Sequence, residues 1–146
     1  MDRSSLPQYA ASRVLPATVE EVWAVLAEAE QLAEWWPGIA RVEPTVRRAL
    51  APGALWRVEG GTAKPSFRRR PQMTGKLLVL DVEPPSRLSF QLLSERIEAE
   101  LRLEPNEDDQ AAATLVVDAP RFAGVGRPFP SDALARLADL VRQAPD

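Results

Sequence analysis

Apolar and polar positions divide the chain into runs of two different periods. After Pro16, Val19, Val22, Trp23 and Leu26 recur at helical spacing, and Thr18 with Glu21 three residues on has the pattern of a capping box. A helix with one apolar face is predicted there. A second, shorter helical stretch, "AEAEQLAEWW", carries Leu32, Trp35 and Trp36 and is stopped by Pro37-Gly38. From Ile39 the period shifts to two. "ALWRVEG" sets Trp56 and Val58 against Leu55, Arg57 and Glu59, "KLLVLDV" is almost continuously apolar, and "RLSFQLL" places Leu88, Phe90 and Leu92 on one face. "RIEAELRLE" alternates most cleanly, with Ile97, Ala99, Leu101 and Leu103 opposite charged neighbours, which marks a strand with one wet face. The turn "PNEDDQ" leads to a partner strand, "AATLVVDA". A Gly/Pro-rich linker, "PRFAGVGRPFP", then precedes a final helix from Ser131 to about Gln143, with Leu134, Leu137, Ala138 and Val141 as its stripe. Ahead of all these, "YAASRVL" reads as a first strand whose buried face the pattern leaves open.

The resulting order is one strand, two helices, a run of antiparallel strands and a terminal helix. A sheet with one wet face must cover its other face, and the helices are what the chain has to cover it. The fold class is therefore α+β, with a curved sheet gripping a helix. No repeat or linker divides the 146 residues, so a single domain over 1–146 is expected.

Composition narrows the chemistry. The chain has no cysteine and no histidine, which removes thiol nucleophiles, imidazole acid-base catalysis and the usual zinc and haem ligand sets. No cofactor or metal is expected. With 18 basic and 21 acidic side chains the net charge is -3, which gives no overall attraction for nucleic acid or an anionic membrane. "MDRSSLPQYAASRV" lacks the apolar run of a signal peptide, and no stretch is long enough to span a bilayer, so a cytoplasmic protein without stable membrane insertion is expected.

The run "RVLPATVEEVWAVLAEAEQLAEWWPGIARVE", followed by "GKLLVLDVEPPSRLSFQL", alternating strands and a C-terminal helix, resembles the polyketide cyclase/dehydrase branch of the START-like superfamily, which also contains the birch-pollen-allergen fold. The likeness spans nearly the whole chain. It is carried by the order and spacing of "PATVEEVW", "EWWPG" and "VEPPSRL". It implies a helix-grip fold, a sheet of about seven antiparallel strands around a C-terminal helix with an apolar cavity between them. Members bind lipids, sterols, polyketides or other hydrophobic molecules, and some catalyse cyclisation or dehydration. The terminal helix here is shorter than the long helix typical of the family.

A pocket for an apolar guest needs large hydrophobic walls and a few orienting polar groups. By parity, Trp56, Leu78, Leu80, Phe90, Leu92, Leu101 and Val117 face Leu134, Leu137 and Val141. Apolar periodicity reports burial and not what a side chain is buried against, so each of these equally suits a solid core. Trp23, central in the first helix, suits core packing. Adjacent helical positions point about 100° apart, so Trp35 and Trp36 are not both expected inside one core. One would anchor the helical pair, and the other would form a cavity mouth or lie exposed over a loop. In "GTAKPSFRRRPQMTG", an extended backbone would put Phe67, Arg69 and Met73 on one face, where Arg69 could bind a carboxylate or enolate; the arginines equally suit a solvated edge. The candidate ligand-binding set is Trp36, Trp56, Phe67, Arg69, Met73, Leu80, Phe90, Leu101, Leu134 and Leu137. For acid-base work Tyr9, Glu59 and Asp81 are the available groups, the two carboxylates with outward parity.

Three readings follow: a carrier of a small hydrophobic molecule held between sheet and terminal helix, a cyclase/dehydratase-type enzyme using Arg69 and Tyr9, or an interaction module resembling chaperone-ATPase activators. Ligand identity and oligomeric state are not specified by these patterns.

Overall fold

The structure, a computed structural model, describes residues 7–60, 75–123 and 125–143. Seven strands form one antiparallel curved sheet: β1 (Gln8–Val14), β2 (Ile39–Pro44), β3 (Leu55–Gly60), β4 (Gly75–Glu83), β5 (Arg87–Leu92), β6 (Ile97–Pro105) and β7 (Ala111–Asp118). Their spatial order is β1-β7-β6-β5-β4-β3-β2. Sequence neighbours pair throughout except β1 and β2, which lie at opposite edges. The chain between those two must therefore cross the sheet, and it contains both early helices, α1 (Val19–Leu26) and α2 (Leu32–Trp35). The terminal helix α3 (Pro128–Gln143) packs on β1, β7, α1 and α2. The covering layer is thus shared: α3 takes the β1–β7 side, and the crossover reaches β2 at the other.

α1 begins as its capping box predicts. Thr18 is extended (φ -73°, ψ 164°), its N–H donates to Glu21 Oε1 at 2.9 Å, and the Glu21 N–H donates to Thr18 Oγ1 at 3.2 Å. These bonds satisfy first-turn donors that a helix leaves unpaired, and they hold the Glu21 carboxyl below its ordinary 4.5.

α3 starts a turn before the expected Ser131. Pro128 and Pro130 occupy its first turn, where the missing N–H groups have no intrahelical partner to lose, and Phe129 and Pro130 are buried. Residues that read as a linker are therefore the helix's opening turn.

The inward face of β4 also differs from the expected parity. Leu77 and Val79 are buried, whereas Leu78 and Leu80 are only half-buried. The reason is pairing: Leu77 stands opposite both Trp56 and Leu92, and Val79 opposite Phe90, so these share the covered face. A register shift between Val79 and Asp81 then accommodates Leu80 as the extra residue and returns Val82 to the side of Leu88.

The outer face carries charge. Arg87 binds Asp81, Glu83 at 3.1 Å and Glu100 at 3.4 Å, and Arg102 binds Glu100 at 2.6 Å. Hydrogen bonds to Glu83 and Asp81 raise the Arg87 pKa. Asp81 thus points outward, and Glu59 does likewise, 40% exposed beside Arg57.

Candidate functional site

The two adjacent indoles are both interior. Trp35 is 1% exposed and Trp36 is fully buried, against the expectation that one would lie at a rim. Both find buried surface because α2, a single turn ending at Trp35, packs between the sheet and α3, so that side chains about 100° apart each meet the interior. Trp36 is its C-cap, with extended torsions (φ -88°, ψ 113°), while its N–H still donates to Leu32 O at 2.9 Å. The extended ψ at Trp36 redirects only the chain that follows it. Trp36 sits edge-on to Phe90 of β5 at 5.1 Å, to Phe129 of α3 at 5.0 Å and to Trp35 at 5.7 Å. The pair joins α2 to the sheet and to the terminal helix. Gly38, at φ 94°, turns the chain from there into β2.

A cavity of about 10 Å³ lies beside Trp35, with space for about one water molecule. Its wall consists of Leu26 from α1, Leu32 and Trp35 from α2, Trp56 from β3, Leu77 and Val79 from β4, Leu88 and Phe90 from β5, and Leu50 from the β2–β3 connection. No α3 residue contributes to this wall. The crossover from β1 to β2 carries α1 and α2, with a short 3-10 turn, Ala29–Gln31, between them, to this part of the sheet.

Among the described residues the wall carries no ionisable side chain. Its polar side-chain atoms are two indole nitrogens, and that of Trp56 donates to Arg47 O at 2.6 Å. Among the described residues no polar or charged residue is buried, and no cluster of acidic side chains could hold a metal.

Of the expected ligand-binding residues, the cavity unites Trp56 and Phe90. Trp36 packs on Phe90 and stands behind the wall. Leu101, Leu134 and Leu137 are at most 1% exposed in the core and do not line this cavity. Leu80 is removed from the interior by the β4 register. Phe67, Arg69 and Met73 lie outside the described residues. Tyr9 is partly buried against the core opposite Val117. Leu26, Leu32, Trp35, Leu50, Leu77, Val79 and Leu88 were not anticipated as wall residues. The helical leucines were visible as apolar positions, but only the chain's path over β3–β5 gathers them.

Among the described residues, large apolar side chains on the surface stand on three separate segments, Val14, Val46 and Leu93. Among the described residues no helix is long and apolar enough to cross a membrane.

Comparison with solved structures returns the same architecture in proteins of distant sequence. A crystal structure from Nitrosomonas europaea matches at a TM-score of 0.63 and 17% identity, over 98% of this chain and 97% of that one. One from Chromobacterium violaceum matches at 0.61 and 19%, over 96% and 99%. A solution structure from Arthrobacter aurescens matches at 0.65 and 17%, over 100% and 91%. At such identities the likeness concerns the fold. No functionally curated protein matches the chain. Residues 7–144 match the family described as polyketide cyclase / dehydrase and lipid transport, and with its helix-grip sheet, capped α1 and C-terminal helix in place the chain belongs to that family.

Proposed function

We propose that the protein binds a small, uncharged hydrophobic molecule in the interior of the grip, at the cavity between the α1–α2 crossover and strands β3–β5. The observation that carries this reading is the wall itself, which is made of Leu, Val, Phe and Trp side chains drawn from six segments of the chain. Membership of a family described by cyclisation, dehydration and lipid transport supports it. An apolar guest gains from leaving water, whereas a charged one would be buried without a partner among these residues. Among the described residues the wall offers no acid or base, which supports binding as the reading. The site differs from the one the sequence pattern suggests, since it adjoins α2 rather than α3.

Native mass spectrometry of protein purified without denaturant tests the reading. A discrete mass increment, lost on unfolding and extractable into organic solvent, is the expected result. Protein that carries no increment and takes up neither short-chain lipids nor apolar dyes would refute it.

A further inference from the structure

One part of the cavity wall belongs to no helix or strand. Residues 45–54 join β2 to β3, and of the wall residues only Leu50 lies on such a connection. Residues 45–49 are all exposed, while Leu50 turns inward, half-buried, to pack on the core and close the cavity.

The two ends of the connection are tied to the sheet. Thr45 Oγ1 donates to Leu55 O at 2.7 Å, the Gly53 N–H donates to Val79 O at 2.9 Å, and the Val79 N–H donates to Ala54 O at 2.9 Å. Between them, two side-chain ties hold the middle. Trp56 Nε1 donates to Arg47 O at 2.6 Å, and Arg48 pairs with Glu30 at 2.7 Å with both side chains largely in solvent. An exposed ion pair of this kind contributes little and is screened by salt. The covering segment therefore combines tied ends, a centre held by one indole hydrogen bond and a weak ion pair, and one apolar side chain inserted into the hollow.

We propose that residues 46–52 are the door of the cavity and that Leu50 is its plug, so that a ligand enters by displacing the Leu50 side chain and occupies the space it leaves. This rests on the reading of the protein as a hydrophobic-ligand carrier, and adds what the ligand displaces and what it is. A hollow for about one water cannot take an organic guest, but the hollow together with the volume of a leucine side chain suits a single ring or a short branched alkyl group. The described wall has no cationic side chain to pair with a carboxylate, so the group that enters is hydrocarbon.

The test uses toluene as probe, read by amide chemical shifts. Leu50→Ala empties the plug position, and the variant is expected to bind toluene at least about tenfold more tightly than the unaltered chain. The shifts should centre on Leu32, Val79 and Leu88. Arg48→Ala, which leaves the wall intact, is expected to speed toluene association, as is added salt with the unaltered chain. Should the alanine variant fail to fold, Leu50→Val makes the same comparison with a smaller gain. Equal affinities, no binding to the alanine variant, or shifts centred on Leu134 and Leu137 would each overturn the door. Any of these results combined with a co-purifying mass increment would leave the carrier reading standing, which separates the two failures.

Discussion

Replacing Leu137 by tryptophan measures whether the interior beneath α3 is filled. Leu137, with Leu134 and Ala138 beside it on the α3 stripe, is sealed to 1% exposure or less, and the cavity of about 10 Å³ touches none of the three. An indole more than doubles the heavy atoms at that point, among side chains that are themselves buried. Overpacking of this kind costs about 1–3 kcal/mol. For a chain of this length each kcal/mol lowers Tm by roughly 2–4 °C, so a fall of about 2–12 °C is expected in calorimetry, with a lower urea midpoint at unchanged slope. Leu137→Ala should also destabilise, by about 2–5 kcal/mol, because a side chain that fits in both directions is penalised in both. A tryptophan variant as stable as the unaltered chain, with an alanine variant at the mild end of that range, would refute the packed interior. It would also return the ligand site to the space under the terminal helix.

Two further outcomes follow from the geometry. Trp36→Ala removes a fully buried ring in contact with Phe90, Phe129 and Trp35 and should cost about 3–5 kcal/mol in urea unfolding; a loss below about 1 kcal/mol would mean that the ring stands at a rim after all. Glu21 has a lowered pKa through its bond from the Thr18 N–H, so its ionised form stabilises the native state at neutral pH, and that contribution is lost as pH falls below 4.5 through the depressed folded value. The stability of Glu21→Gln should therefore fall less than that of the unaltered chain over that acid range, and parallel stability curves for the two would contradict the assignment.

Much of the architecture was written in local patterns. "RIEAELRLE" became β6 with Ile97, Ala99, Leu101 and Leu103 inside, because strict alternation leaves only one way to face a core. Thr18 and Glu21 start α1 through bonds that span three residues, so no distant contact was needed to read them. The family likeness likewise follows from the order of such signals along the chain.

What local pattern left undecided was settled by long-range pairing and packing. "KLLVLDV" is apolar at nearly every position and so has no phase of its own; Trp56, Phe90 and Leu92, on neighbouring strands, turn Leu77 and Val79 inward and leave Leu78 and Leu80 half-buried on the other side. The two indoles share one core because α2 packs between the sheet and α3, so that Trp36 meets Phe90 and Phe129 while Trp35 lines the cavity, a placement that residue spacing does not record. The site itself depends on β1 and β2 lying at opposite edges, which sends α1 and α2 across the sheet and brings Leu26, Leu32, Leu50 and Trp56 to one hollow. Burial can be anticipated from periodicity because water enforces it residue by residue, whereas a cavity is a property of surfaces meeting, and those surfaces exist only once the chain has closed on itself.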